Sequence, residues 1–298
     1  MSKVIYLAIV GMPNVGKSTL LNTLVGEKIA AVSPKAQTTR TRITGVLTRD
    51  DTQFVFLDTP GLLRAKNLLG EQMQKHIRTS LADVDCVLMV TESKGRIRAP
   101  ELKLIDQLKA QGLPVILLIN KCDVANKAEI LPSIAAFSAA MDFEAIIPVS
   151  AKTGEGIDEV FTELEPLLNE APFLFDDDTL TDQSERAIAA EFVREKLLNV
   201  LNEEIPHGIA VVVERFVDER GHLLHIDAVI YCEKASHKGI VIGKGGALLK
   251  RVGMYAREDL ERFFRCKVDL SLWVRVKENW RDNPTLISDF GLKEDSDS

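Results

Sequence analysis

The segment Gly11-Met12-Pro13-Asn14-Val15-Gly16-Lys17-Ser18 spells GxxxxGKS directly after the apolar run Val4–Val10 and directly before a helical pattern at Lys17–Leu24. This juxtaposition constrains the fold more than any other feature of the chain. Glycines let a tight turn point its backbone N–H groups inward. A helix that starts on such a turn aims its positive dipole end at the same spot. Strand, glycine-rich loop and helix in that order form the phosphate-cradling unit of an open α/β sheet. Lys17 is then placed to reach β- and γ-phosphates and the Ser18 hydroxyl to bind Mg2+, with Thr19 completing the candidate set. A glycine turn before an ordinary helix is the bland alternative, and the flanking elements argue against it.

The rest of the first 170 residues supports that architecture. Short apolar runs recur at Phe54–Asp58, Val84–Val90, Val115–Asn120 and Ala145–Val149. Helical patterns lie between or after them at Leu69–Leu81, Glu101–Ala110, Lys127–Ala140 and Ile157–Leu168. Continuous apolar strands alternating with helices predict a mostly parallel sheet covered on both faces. Ile43–Thr48 and Gln53–Leu57 flank the turn Arg49–Thr52, which predicts one antiparallel edge strand.

Three further motifs end successive strands, where open α/β sheets bind their ligands. Asp58-Thr59-Pro60-Gly61 offers a carboxylate for Mg2+ and, at Gly61, a backbone N–H for a γ-phosphate. Asn120-Lys121-Cys122-Asp123 offers a carboxylate at Asp123 that can accept both N1–H and N2–H2 of guanine. Adenine lacks that donor pair and would leave the carboxylate unsatisfied, which disfavours it strongly. Lys121 is expected to lay its stem over the base and Asn120 to brace the loop. Ser150-Ala151-Lys152-Thr153-Gly154 follows the last strand, and the Ala151 N–H is expected to meet guanine O6. DTPG alone could be a plain turn, and SAKTG a polar helix start. Their order along the chain favours a guanine nucleotide over ATP.

In these motifs the chain resembles the TrmE–Era–EngA branch of GTPases. Lys35-Ala36-Gln37-Thr38-Thr39-Arg40 looks like the switch segment of the Era-type members. The resemblance implies that one threonine senses Mg2+ and the γ-phosphate, with Thr39 preferred and Thr38 the second choice. Without triphosphate, Gln37–Thr41 reads as a mobile polar loop. Many GTPases carry a glutamine after DxxG to orient water. Here that switch position holds Leu62, so slow intrinsic hydrolysis is expected. The resemblance also puts a K+ ligand at Asn14, where the ion would supply charge that an arginine finger gives elsewhere.

A second domain follows. Ala171–Asp182 has a proline, an acidic cluster and no period, and reads as a linker. Residues 183–281 run helix, strand, strand, short helix, helix, strand, an order that resembles a type II KH fold. Val241-Ile242-Gly243-Lys244-Gly245-Gly246 carries its GxxG loop, which in KH domains clamps single-stranded nucleic acid. A tight helix–helix corner would also want glycines. Charge favours RNA: Lys234–Arg281 holds 12 Lys/Arg against 5 Asp/Glu, a local net of +7, in a chain of net charge −7. Gly243, Lys244, Gly245 and Gly246, with Lys238, Lys250 and Arg251, are the RNA-binding candidates, and Arg257 extends the track. Ile209, Val211, Val213, Ile240 and Ile242 line either a base groove or the core. Residues 282–298 hold five acids and one lysine and read as an acidic tail.

The fold class is therefore an α/β GTPase domain over 1–170, a linker over 171–182, an α+β type II KH domain over 183–281 and a tail over 282–298. The Era-type resemblance spans nearly the whole chain. It implies a GTP/GDP switch that hydrolyses GTP, binds small-subunit (16S) ribosomal RNA near its 3′ end and assists maturation of the small ribosomal subunit. It further implies a monomer working in the cytoplasm, with peripheral association on the inner face of the cell membrane also attributed to the family. No run of about 18 apolar residues predicts a membrane span, and four scattered cysteines suit a reducing compartment. The rival readings are a nucleotide-sensing protein whose KH-like domain binds protein, and a tRNA-modification GTPase, for whose partner domain the chain has no room.

Overall fold

A computed structural model describes residues 1–35, 37–61, 67–80, 84–219 and 221–292, with no side-chain description for 75–80. The chain divides into two compact units, one comprising Met1–Ile29, Arg42–Arg64 and Gln74–Asp182, the other Ala30–Thr41, Ala65–Met73 and Gln183–Ser298.

The first unit is built on β1 (Lys3–Gly11), α1 (Lys17–Val25), β2 (Ile43–Arg49) and β3 (Thr52–Asp58). After α2 (Leu68–Ser80) come β4 (Cys86–Glu92), α3 (Ala99–Gln111), β5 (Val115–Asn120), α4 (Lys127–Ala140), β6 (Ala145–Pro148), α5 (Ile157–Leu164) and the two-residue β7 (Asn169–Glu170). The sheet order is β2-β3-β1-β4-β5-β6, with β7 antiparallel on β1. Apart from the two-residue β7, only β2, at the edge, runs against its neighbour among the described strands of this sheet, which the hairpin signal predicts. The parallel register pairs Ile9 with Asp58 and Gly11 with Val90, so the carboxyl ends of β1 and β3 come level. Apolar residues line both faces of the central strands. Leu104, Leu108 and Phe137 of α3 and α4 pack on Val10, Val87 and Leu117, while Phe161 of α5 meets Phe54 edge-on at 5.1 Å.

Residues 171–182 are bonded rather than loose, unlike the linker expected from composition. The Val46 N–H donates to the Leu180 carbonyl at 2.8 Å, and the Thr44 hydroxyl to Asp182 at 2.7 Å. Gln53, fully buried, accepts from the backbone of Leu174 and Phe175 and donates to the Phe175 carbonyl. The edge strand β2 thus finds partners for its outer N–H and C=O groups in a segment whose sequence shows no strand period.

The second unit holds α6 (Glu185–Val200), β8 (Ala210–Glu219), β9 (Leu223–Cys232), α7 (Ala235–Ile242), α8 (Ala247–Phe264), β10 (Lys267–Val276) and α9 (Pro284–Asp289). Its sheet runs β10-β9-β8, antiparallel between β8 and β9 and parallel between β9 and β10. A bulge falls between Val213 and Arg215. Helices α6 and α8 cover one face, where Phe192, Leu197, Val252 and Leu260 meet Ile226 and Ile230. Ser184 caps α6 by accepting from the Ala187 N–H. Ile209, Val211 and Val213 belong to this core, whereas Ile240 stands 49% exposed.

The segment after Arg281 is not a tail as far as residue 292. Asn283 caps α9 by accepting from the Thr285 and Leu286 N–H groups. Ile287 is buried and Phe290 stacks on Tyr231 at 4.7 Å. Trp280 anchors this second, smaller core, fully buried, with its indole N–H donating to the Gly208 carbonyl at 2.9 Å. A charge count misses this because the apolar residues that do the packing are spaced between acids. Trp280→Ala is expected to destabilise the second unit by about 3–5 kcal/mol. Urea unfolding followed by the fluorescence of Trp273 measures this, and a loss below about 1 kcal/mol would mean that Trp280 is not the anchor.

Candidate functional site

The phosphate cradle forms where β1 gives way to α1. Gly11 has φ 153° and Gly16 φ 102°, and an added Cβ would lie 2.3 Å from the Val90 carbonyl oxygen at Gly11 and 2.3 Å from Asn120 Nδ2 at Gly16. Both glycines are therefore required by space as well as by backbone angle. Asn14, a non-glycine, also takes a left-handed backbone with φ 64°, and it is exposed. Lys17 is 6% exposed, with its ammonium donating to the carbonyls of Met12 at 3.1 Å and Gly11 at 3.3 Å. Burial lowers its pKa from the ordinary lysine value, and the Asp58 carboxylate opposes that shift. The ammonium is thus held ready in a place that solvates it poorly.

Ser18 and Asp58 meet across the strand ends. The Ser18 hydroxyl donates to Asp58 Oδ2 at 2.8 Å, and Asp58 is fully buried. A hydroxyl beside a buried carboxylate is a hard oxygen pair, the kind Mg2+ takes alongside phosphate oxygens. Gly61 packs against the loop, where a Cβ would lie 3.0 Å from Pro13 Cα and 3.2 Å from Lys17 Nζ. Leu62, the position after this glycine, lies outside the described residues.

Asn120 ties two loops together. Its Nδ2 donates to the Val15 carbonyl at 2.8 Å, and its Oδ1 accepts from the Ala151 N–H at 2.9 Å. The Ala151 N–H, which the sequence expects to meet guanine O6, here donates to Asn120. Thr23 adds a bond from its hydroxyl to the Ala151 carbonyl at 2.6 Å. The exposed Asp123 is fixed by the Ser150 hydroxyl, which donates to its Oδ1 at 2.9 Å. Lys121, left-handed at φ 67°, donates to the Asn14 carbonyl at 2.6 Å and pairs with Glu92. Glu92, at the end of β4, has no motif to mark it, and sequence reading missed it. Burial works to raise its pKa, but the ammonium of Lys121 and that of Lys94 bring it below the ordinary carboxylate range. Lys152 is exposed.

The threonine segment is placed differently from a loose loop. Ala30–Thr41 is counted with the second unit, whereas Ser18 and Asp58 belong to the first. Arg194 of α6 donates to the Thr38 carbonyl. Arg40, 3% exposed, donates to the carbonyls of Ile209, His207 and Pro206 and lies 5.7 Å from the Trp280 ring centre. Thr39 is buried, and Gln37 has φ 61°. A buried guanidinium with carbonyl acceptors holds a segment that its polar sequence marks as mobile.

In the second unit, Gly243 ends α7 with its N–H on the Gly239 carbonyl at 2.9 Å. A Cβ there would lie 2.7 Å from Leu248 Cβ, so this glycine lets the two helices close. Gly245 and Gly246 also have positive φ, but a Cβ at either would meet nothing within 4 Å. Their outer face is open to a close-approaching ligand. A groove of about 750 Å³ starts at Gly246 and is lined by Lys250, Arg251 and Arg257 over Leu270 and Leu272 of β10. Lys238 and Lys244 are exposed but do not line it. The apolar floor from β10 is a contribution that the GxxG pattern does not announce. Trp273 is 46% exposed.

Comparison with known proteins bears on both units. Residues 6–121 match the family described as 50S ribosome-binding GTPase, and residues 204–281 match the KH domain family. The chain is 44% identical over 288 residues to GTPase Era of Ruminiclostridium cellulolyticum, covering 97% of each. Among solved structures it is similar to Era in complex with MgGDPNP and nucleotides 1506–1542 of 16S ribosomal RNA, with a TM-score of 0.94, 37% identity and coverage of 99% of this chain and 100% of that one. A point variant of Aquifex aeolicus Era bound to GDP.AlF4- matches with a TM-score of 0.93 at 37% identity, covering 98% and 100%.

Because Asn120 makes two bonds that join the phosphate loop to the Ser150–Ala151 turn, Asn120→Ala is expected to lower GDP affinity about tenfold or more. Displacement of a fluorescent GDP analogue measures the effect. An unchanged affinity in a folded variant would refute the bracing role.

Proposed function

The chain belongs to the Era family of GTPases, and on that premise we propose that it is a nucleotide-controlled ribosomal RNA chaperone. The single observation that carries this reading is the presence in one chain of two sites. One is a guanine-type nucleotide framework with a buried Lys17 and a Ser18–Asp58 pair. The other is an open GxxG loop leading into a basic groove.

The nucleotide chemistry follows from these residues. Lys17 exchanges two weak carbonyl contacts for β- and γ-phosphate oxygens, which compensate its buried charge better. Ser18 and Asp58 would hold Mg2+, which would supply positive charge against that developing on the phosphate oxygens. Asp123, fixed by Ser150, accepts from guanine N1–H and N2–H2 and rejects adenine. Thr39, or Thr38 in its place, senses Mg2+ and the γ-phosphate: triphosphate orders this segment and diphosphate releases it. GTP is hydrolysed slowly because Leu62 can neither orient nor deprotonate water.

For RNA, a solved Era complex contains nucleotides 1506–1542 of 16S ribosomal RNA, and we assign this chain the same class of ligand near the 3′ end of that RNA. Gly243–Gly246 would clamp the backbone, with Lys238, Lys244, Lys250 and Arg251 supplying charge and Leu270 and Leu272 an apolar seat for bases. Its role is to assist maturation of the small ribosomal subunit, as a monomer in the cytoplasm. Four free thiols support that compartment. Peripheral attachment to the inner membrane face is carried from the family, and no described helix is long and apolar enough to cross a membrane.

The test is RNA affinity at fixed salt with GDP and with a non-hydrolysable GTP analogue, using an RNA of the 16S 3′-terminal sequence. Binding is expected to be about tenfold tighter with the triphosphate analogue. Equal affinities would end the switch reading even with both activities intact. K+ is the second expectation, supported by the left-handed, exposed Asn14 in the phosphate loop. Replacing K+ by Na+ should slow turnover about tenfold or more, and a rate indifferent to the exchange would rule out a K+ ligand at Asn14.

A further inference from the structure

Inside the second unit lies a cavity of about 230 Å³ whose lining includes three arginines, Arg40, Arg186 and Arg194. Two acids, Glu191 and Asp289, share the lining, and Val211 and Phe290 give it apolar walls. The charges do not balance. Arg194 engages both oxygens of Glu191 through Nε and Nη2. Among the described residues Arg40 has no carboxylate at ion-pair distance, and its Nη atoms go to the carbonyls of Ile209, Pro206 and His207.

Two donors on these arginines find no acceptor among the described residues. Arg40 Nε and Arg194 Nη1 are buried and make no hydrogen bond among the described residues. Both are sealed from bulk water, so solvent does not satisfy them. A buried charged donor left unmatched costs more than an ordinary lost hydrogen bond. Burial lowers the Arg40 pKa to about 9, with the like charge of Arg194 acting in the same direction. The group is cationic at neutral pH even so.

We propose that this cavity is a subsite for one small oxyanion, a phosphate or a carboxylate, held by Arg40, Arg186 and Arg194. Guanidinium forks suit planar or tetrahedral oxyanions because two N–H groups reach two oxygens at once. Arg186 stands exposed at the start of α6, tied to the Val213 and Glu214 carbonyls by Nη1 at 3.2 and 3.3 Å. The volume is below the roughly 300–1,000 Å³ of pockets that take drug-sized ligands. It admits a phosphate or acetate with a few waters and excludes a nucleotide. Arg194 also holds the Thr38 carbonyl, and Arg40 follows Thr39, so an ion here fixes the threonine segment in this unit. That consequence rests on reading Thr38 and Thr39 as switch residues, whereas ion binding itself stands apart from it.

The experiment is calorimetric titration of inorganic phosphate, and separately of acetate, into the full-length protein saturated with GDP, so that the phosphate loop is already filled. The Nε–H resonance of Arg40 is followed by NMR in the same titrations. Saturable phosphate binding is expected, weakened about tenfold in Arg186→Gln, with GDP affinity unchanged and the Arg40 resonance moving as the site fills. Saturation by acetate and not by phosphate would keep the site and assign it to carboxylates. No saturable binding of either ion would overturn the proposal. So would equal affinity in Arg186→Gln with an unmoved Arg40 resonance.

Discussion

The nucleotide framework depends on one side-chain amide. Asn120 reaches from the end of β5 to the Val15 carbonyl and receives the Ala151 N–H, so a single group fixes the spacing of two loops. Gly16 exists in the space this amide leaves, since any Cβ there would fall 2.3 Å from Asn120 Nδ2. The parallel sheet makes the arrangement attainable by bringing the carboxyl ends of its strands level. A buried polar network of this kind specifies a structure because each member left unpaired would be costly. Lys17 is the exception that serves function. Among the described residues its ammonium has carbonyl partners only, its charge is disfavoured by burial, and a polyphosphate relieves that condition.

The second unit repeats the logic with arginine. Burying a guanidinium is tolerable when its donors are matched, and Arg40 and Arg194 are matched incompletely. Both hold the Ala30–Thr41 segment, through its own side chain in one case and the Thr38 carbonyl in the other. A segment retained by strained electrostatics can be released by a modest competing interaction. That property suits a stretch whose threonines are proposed to answer to a γ-phosphate.

Much of this was legible from sequence for a physical reason. A phosphate loop is a local object, set by glycine angles and by the strand and helix on either side of it, so Gly11–Ser18 reads directly from spacing. Helix α4 and strand β5 begin and end where their periodicity predicts, and the second unit follows the predicted order of its elements up to β10. Less local features were hidden. The bonded path of residues 171–182 depends on Gln53 and Thr44, more than a hundred residues earlier, and has no period of its own. The packing of α9 depends on Tyr231 and Trp280 rather than on its own acidic composition. Glu92 carries no motif and acquires its role only because β4 lies beside β5.

Taken alone, then, the sequence determined the order of elements, the phosphate cradle, the preference for guanine and the GxxG loop, because each rests on residues near one another in the chain. Tertiary structure decided the partners of groups far apart. It spent the Ala151 N–H on Asn120, seated Arg40 among carbonyls of the second unit, laid Leu270 and Leu272 under the basic groove and left two arginine donors without acceptors among the described residues. A side chain's spare hydrogen bonds and its share of a buried charge are fixed by what packing brings against it, and no local pattern of residues encodes that.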